Sequence, residues 1–338
     1  MQVRGAPLIA IVAALGLASH LLSEFADCTD ETPLSTVHDF LLCNIEFLKT
    51  SRPTAVNLFE AMGLLSSAIT KSLLDQPSTP VFVTSFVELC ESLLARDIAD
   101  NKAIGKNGAT FLSQKLDSAP YSVLTHCNTG ALATAGYGTA LGIIRSLHSD
   151  SPNLSHVYCT ETRPYNQGAR LTAFELHSEN IPYTLITDSM VSYLFESLKA
   201  ANKPPIKAII VGADRVCRNG DVANKIGTLQ LSIIANHFGI DFIVAAPSTT
   251  VDLSLQNGSQ IPIEHRPSSE MLQVSGILIN NSSLSLDRAA VSIAPEFNVW
   301  NPSFDVTPAS NISAIVTEKF VYTRNPISND FDLSVSPL

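Results

Sequence analysis

From Pro120 onward the sequence alternates short apolar runs with longer amphipathic ones, and no other feature restricts the chain's fold as much. The short runs, read as strands, are 122–126, 156–160, 183–187, 208–212 and 241–245. The longer ones, read as helices, are 130–147, 166–178, 191–200 and 223–238. Strands that alternate with helices across short connections cannot pair as hairpins. They form a parallel sheet covered by helices on both faces, an α/β fold. In such sheets ligands bind beyond the carboxyl ends of the strands, so the residues that end each run carry the functional argument.

The first third has a different texture. Val37, Phe40, Leu41, Ile45 and Leu48 recur at helical spacing, as do Leu58, Phe59, Met62, Leu65 and Ile69. A third helical run covers 81–104, with a turn expected at 105–108, where two glycines flank Lys106 and Asn107. Residues 1–117 read as a mainly helical domain and 118–338 as the sheet domain. Near the start, the run 8–22 follows Arg4 and resembles a signal peptide. Gly16, Ser19 and His20 interrupt it, so it reads as a buried helix rather than a membrane span.

Lys and Arg number 21 against 31 Asp and Glu, a formal charge of −10. That balance excludes a general nucleic-acid binder, which needs a basic face. It leaves room for a local basic site for one small phosphate. The six cysteines are scattered without close pairs, as buried reduced thiols are, which implies a cytosolic chain with no membrane partner. No CxxC or HExxH occurs, so no metal is expected. No Walker loop and no GxGxxG follows a strand, so no nucleotide cofactor is expected either.

The first strand ends in Thr125-His126-Cys127-Asn128-Thr129-Gly130. If a helix starts there, Cys127 sits at its positive end, which favours the thiolate, and the nearby amides suit an anion. His126 is next to Cys127 but points to the opposite face, so a Cys/His pair is not expected. The second strand ends in Glu161-Thr162-Arg163-Pro164, followed by Gln167-Gly168-Ala169-Arg170, where an internal ion pair of Glu161 with either arginine is an alternative to a binding role. The fourth ends in Gly212-Ala213-Asp214-Arg215, and Asn224 and Lys225 stand near the next helix start. A thiol, a carboxylate at the end of an apolar run and several anion-binding groups suggest isomerisation or proton transfer on a small phosphorylated metabolite.

These segments closely resemble the methylthioribose-1-phosphate isomerase family. So do Arg4-Gly5-Ala6-Pro7, Arg52-Pro53-Thr54-Ala55-Val56-Asn57-Leu58, Asn224-Lys225-Ile226-Gly227-Thr228 and Asn301-Pro302-Ser303-Phe304-Asp305. The match runs nearly end to end. The wider family includes regulatory subunits of the initiation factor 2B exchange complex and a ribose-1,5-bisphosphate isomerase, which are the alternative readings. The resemblance implies a Rossmann-like C-terminal domain, a homodimer, a role in methionine salvage, and cytosol with nuclear presence in eukaryotes. It implies no cofactor. It places the catalytic pair on Cys127 and Asp214, and substrate contacts on Arg4, Gly5, Ala6, Arg52, Gln167, Asn224 and Lys225. Cys159 is the competing thiol but not the family's catalytic position. Family members carry a longer segment ahead of Arg4, and the Ser-rich stretch 271–297 is longer here than usual, as a surface insertion would be.

Overall fold

The computed structural model describes residues 3, 5–51, 56–116, 118–280, 283–294, 297–325 and 331–333. Four helices come first: α1 (Ala6–Phe25), α2 (Leu34–Lys49), α3 (Val56–Asp75) and α4 (Thr79–Lys115). Their apolar stripes meet in one core that includes Leu17, Leu21, Leu41, Ile45, Met62, Leu65 and Phe86. By length and composition α1 could cross a membrane. Its Ala14, Leu17 and Leu21 are instead buried against the other helices, as the interrupted run predicted.

A seven-stranded sheet follows. Its strands are β1 (Tyr121–Thr125), β2 (Leu154–Thr160), β3 (Tyr183–Ile186), β4 (Ile206–Val211), β7 (Asp241–Ala245), β12 (Ala314–Val316) and β13 (Val321–Thr323). The spatial order is β13-β12-β7-β4-β1-β2-β3, parallel except for β13. From β3 to β12 this is the doubly wound order 3-2-1-4 and outward, with its reversal point between β1 and β4. Helices α5 (Ala140–Asp150) and α6 (Ala173–Ser178) pack on one face, in a core with Val123, Val157 and Ile210. Helices α7 (Val191–Ala200) and α8 (Thr228–Phe238) pack on the other, with Leu124, Ile209 and Val244.

A small four-stranded sheet stands beyond the carboxyl ends, in the order β11 (Phe304–Thr307), β6 (Val222–Lys225), β5 (Arg215–Cys217) and β8 (Val251–Asp252). Helix α9 (Ser269–Leu272) leads into an antiparallel pair, β9 (Gln273–Asn280) and β10 (Ser283–Ser292). Within the Ser-rich stretch, Val274, Ile277 and Val291 are exposed, and residues 281, 282, 295 and 296 lie outside the described residues.

Four local expectations are corrected. The turn expected at 105–108 lies inside α4. There the glycines serve close packing on α5: a Cβ on Gly105 would stand 2.9 Å from the Gly142 carbonyl and 2.7 Å from the Tyr137 ring. The helix expected from 130 begins only at Ala140, because 131–138 holds a short 3-10 turn and two left-handed residues, Tyr137 and Gly138. The run from 223 opens as a strand and becomes helical at Thr228, after left-handed Gly227. The run from 166 begins as a π-turn, Gly168–Thr172, before α6.

The packing at Gly105 has a measurable consequence. Alanine gains about 1 kcal/mol of helix propensity over glycine, but overpacking against backbone costs about 1–3 kcal/mol. Gly105→Ala is expected to lower the urea unfolding free energy by about 1 kcal/mol, the overpacking cost outweighing the helix gain. Gly16→Ala in α1, where a Cβ meets nothing within 4 Å, is expected to raise it. Equal effects of the two substitutions would contradict the packing argument.

Candidate active site

Asp214 follows β4 and Cys127 follows β1, so the two stand at neighbouring strand ends where the sheet reverses its winding. Both line one cavity of about 350 Å³, a volume suited to a small ligand. Gly5, Ala6, Gln167, Asn224 and Lys225 line the same cavity, so the residues singled out from five separate segments come together. Arg4 and Arg52 lie outside the described residues. Among the described residues no group of three or more His, Cys, Asp or Glu is placed to hold a metal ion.

Cys127 has a left-handed backbone, φ +63°, as do Thr162 at +63° and Asn166 at +57° in the facing loop. Non-glycine residues in this region cost of order 1–2 kcal/mol and persist where neighbours hold them. The Cys127 N–H donates to Thr162 Oγ1 at 2.8 Å, and the Thr172 hydroxyl donates to the Cys127 carbonyl at 2.5 Å. No helix starts at Cys127, so the expected dipole on the thiol is absent. Cys159 is buried in β2, and burial pushes its thiol up to about 12. That makes it an unreactive core cysteine.

His126 does not pair with Cys127. Its Nε2 lies 2.9 Å from the Ile226 carbonyl and must carry the proton there. Its Nδ1 then accepts from the Thr160 hydroxyl at 2.6 Å. Burial lowers the ring's pKa, consistent with this neutral form. The imidazole thus ties the ends of β1 and β2 to the linker before α8. Nor does any ion pair among the described residues join Glu161 to Arg163 or Arg170. Arg163 donates to the Pro164 and Met271 carbonyls, and Arg170 stacks 4.6 Å over the Tyr165 ring.

Several of the loop amides expected to bind phosphate are already occupied. Gly130 donates to Asn128 Oδ1, Ala131 and Leu132 donate to the Glu175 carboxylate, and Ala135 donates to Asp97. Cationic side chains remain for an anion. Lys225 reaches from β6, donates one hydrogen bond to the Ser303 carbonyl at 3.1 Å and lies 4.6 Å over the Phe304 ring. An ammonium has three donors, so this leaves capacity for a ligand. Asn224 donates to Thr228 Oγ1 at 3.1 Å. The buried Gln167 Oε1 has no partner among the described residues, as a group waiting for a ligand hydroxyl would not.

The N-terminal segment closes one wall. A Cβ on Gly5 would stand 2.1 Å from the Ala133 carbonyl, so only glycine permits this approach. The opposite rim was not legible beforehand: Arg266, held by Glu264 at 2.7 Å and Glu270 at 2.8 Å, lines the cavity with both carboxylates. Nothing in the spacing of 264–270 marks it as part of a site.

The family model for the initiation factor 2 subunit family matches residues 2–323, and the chain belongs to that family. The methylthioribose-1-phosphate isomerase of Schizosaccharomyces pombe is 51% identical over 342 residues, covering 99% of this chain and 88% of the relative. Among solved structures, the 5-methylthioribose 1-phosphate isomerase of Pyrococcus horikoshii superposes with a TM-score of 0.76 at 34% identity, covering 96% of this chain and 81% of that one. A translation initiation factor 2B delta subunit from A. fulgidus superposes with a TM-score of 0.73, also at 34% identity, covering 97% and 86%. Fold likeness therefore barely separates the two activities, and the sequence relatives do.

Asp305 offers a test of the site's frame. It accepts from the Gly227 and Leu229 amides at 2.7 and 3.1 Å, capping α8 beside Lys225. Burial outweighs those contacts and pushes its carboxyl up to about 6. The unfolded value is about 3.9, so between pH 4 and 6 the folded chain holds a proton that the unfolded chain releases, and stability falls as pH rises through 6. Lowering pH from 7 to 5 is expected to stabilise the parent by about 1 kcal/mol relative to Asp305→Asn in paired denaturation curves. A pH-independent difference would refute this.

Proposed function

We propose that the chain is an aldose–ketose isomerase that converts 5-methylthioribose-1-phosphate to 5-methylthioribulose-1-phosphate in methionine salvage. The observation that carries this reading is a thiol and a carboxylate, Cys127 and Asp214, at adjacent strand ends on one cavity, in a chain half identical to relatives bearing that name. A regulatory subunit of the exchange-factor type needs neither side chain there. Relatives at about half identity bear the methylthioribose-1-phosphate name, which favours that substrate over a bisphosphate.

The phosphate on the anomeric oxygen prevents the sugar ring from opening by itself. Asp214, as the acid, gives a proton to the ring oxygen, and the bond from that oxygen to C1 breaks. Hydrogen then moves from C2 to C1, and the C2 hydroxyl loses its proton as the ketone forms. Cys127 assists at C2, either as the base that relays hydrogen as a proton or by stabilising charge while hydrogen moves as hydride. Lys225 and Arg52 hold the phosphate, Arg4, Gly5 and Ala6 contact the substrate, and Gln167 and Asn224 orient the sugar.

A homodimer in the cytosol, extending to the nucleus, completes the reading. The cysteines, all six free, suit a reducing compartment, and sedimentation equilibrium of the purified chain tests the dimer.

Purified chain incubated with 5-methylthioribose-1-phosphate is expected to form the ketose phosphate. Cys127→Ala and Asp214→Asn are each expected to lose roughly 10²–10⁴-fold in kcat with circular dichroism unchanged. Full activity in either variant would remove that residue from the mechanism. In deuterated water, deuterium at C1 of the product would exclude a pure hydride shift.

A further inference from the structure

The strand-end loop that walls the cavity is built on a carboxylate that no part of the mechanism uses. Glu175, in α6, is 5% exposed. Its Oε2 accepts from the Ala131 amide at 2.7 Å and its Oε1 from the Leu132 amide at 3.2 Å. Arg145 of α5, 9% exposed, donates to the same Oε2 at 2.7 Å. The remaining edge of the guanidinium is fixed too: Nε donates to Glu179 at 2.7 Å and Nη1 to the Tyr137 carbonyl. A Cβ on Gly130 would stand 2.1 Å from Glu175 Oε2, so the loop is shaped around the carboxylate.

A buried ion pair of this kind adds little net stability compared with apolar packing, because desolvation offsets attraction. Its effect lies in geometry. Leu132, Ala133 and Thr134 line the cavity, and the two amides taken by Glu175 lie at the start of that stretch. Without that carboxylate two part-buried N–H groups would lose their acceptor, and the loop would turn to find other partners.

We infer that Glu175, oriented by Arg145, is a positioning residue of the active site. Its carboxylate fixes the 131–134 wall and through it the placement of the substrate's C1 and C2 relative to Cys127 and Asp214. The inference rests on the isomerase reading above.

The test compares the parent with Glu175→Ala and Glu175→Gln, measuring kcat and KM separately, with and without sodium acetate, beside thermal midpoints. Removing the side chain leaves a space lined by Arg145 and two amides, which acetate fits. Glu175→Ala is expected to lose about tenfold or more in kcat, equivalent to one misaligned contact of about 1.4 kcal/mol, with a smaller change in KM. Acetate is expected to restore kcat in this variant and leave the parent unchanged. Glu175→Gln, which fills the space but turns an N–H toward one amide, is expected to be impaired and not rescued.

Parent-like kcat in Glu175→Ala overturns the inference. So does recovery of the thermal midpoint by acetate without recovery of kcat, which marks a purely structural role. If Glu175→Ala does not fold, parent-like kcat in Glu175→Gln overturns it instead. A parent with no turnover defeats the reaction assignment and the positioning role together. It is distinguished from failure of the positioning role alone, where the parent turns over normally.

Discussion

The crossover leaving β1 passes over one face of the sheet through α5, whereas the one leaving β4 returns over the other face through α8. Two adjacent carboxyl ends therefore send their chains apart, and no main chain fills the space between them. The cavity is the direct result. It needs no recess carved into a core, and its floor is the edge of the most buried strands in the molecule, which fixes the Cα positions at Thr125 and Val211 before any loop is placed. The loops then have only to bring Cys127 and Asp214 inward from a frame that is already rigid.

Loops at the ends of a parallel sheet lack a ladder for their own amides, and in this chain carboxylates supply the acceptors. Asp188 takes the amides of Thr162 and Arg163, Asp221 those of Gly258 and Ala309, and Asp305 those of Gly227 and Leu229. Asp97 takes Ala135, and Glu175 takes Ala131 and Leu132. Each contact joins segments distant in sequence, and each is a charge-assisted bond. Part of the acidic excess is thus internal scaffolding, spent on holding loops rather than on surface charge. The amides these five carboxylates hold are not open to a ligand's phosphate, which is why the proposed anion seat is built on side chains such as Lys225.

The strand–helix alternation was legible because period and length are local properties: β7 and α7 lie where the apolar runs placed them. What the local pattern misread were places where a distant contact decides. Gly105 and Gly108 look like a turn until α5 is packed against them. Residues 131–138, rich in alanine and glycine, look helical until Glu175 and Asp97 claim their amides. Asn224 and Lys225 look like a helix start until Phe304–Thr307 pairs alongside and makes them a strand. The motifs pointed to Cys127, Gln167, Asp214, Asn224 and Lys225, which line one cavity, but Glu175 and Arg145 carry no such mark. Their spacing is that of ordinary helix residues, and only the tertiary fold shows that each faces the loop.

Sharing a fold with exchange-factor subunits leaves function to be argued from the site. The backbone at Cys127 carries that argument further than the thiol's presence alone. A left-handed residue is cheapest as glycine or asparagine, and Asn128 follows immediately. Two threonine hydroxyls, from Thr162 and Thr172, hold the main chain of Cys127 in this unfavourable conformation while the residue lines the cavity. A loop needing only to turn would place the strain on a residue that bears it without cost. That the strain falls on a cysteine lining the cavity supports the role proposed for its sulfur, and Thr162, itself left-handed, is one of the partners that hold it there.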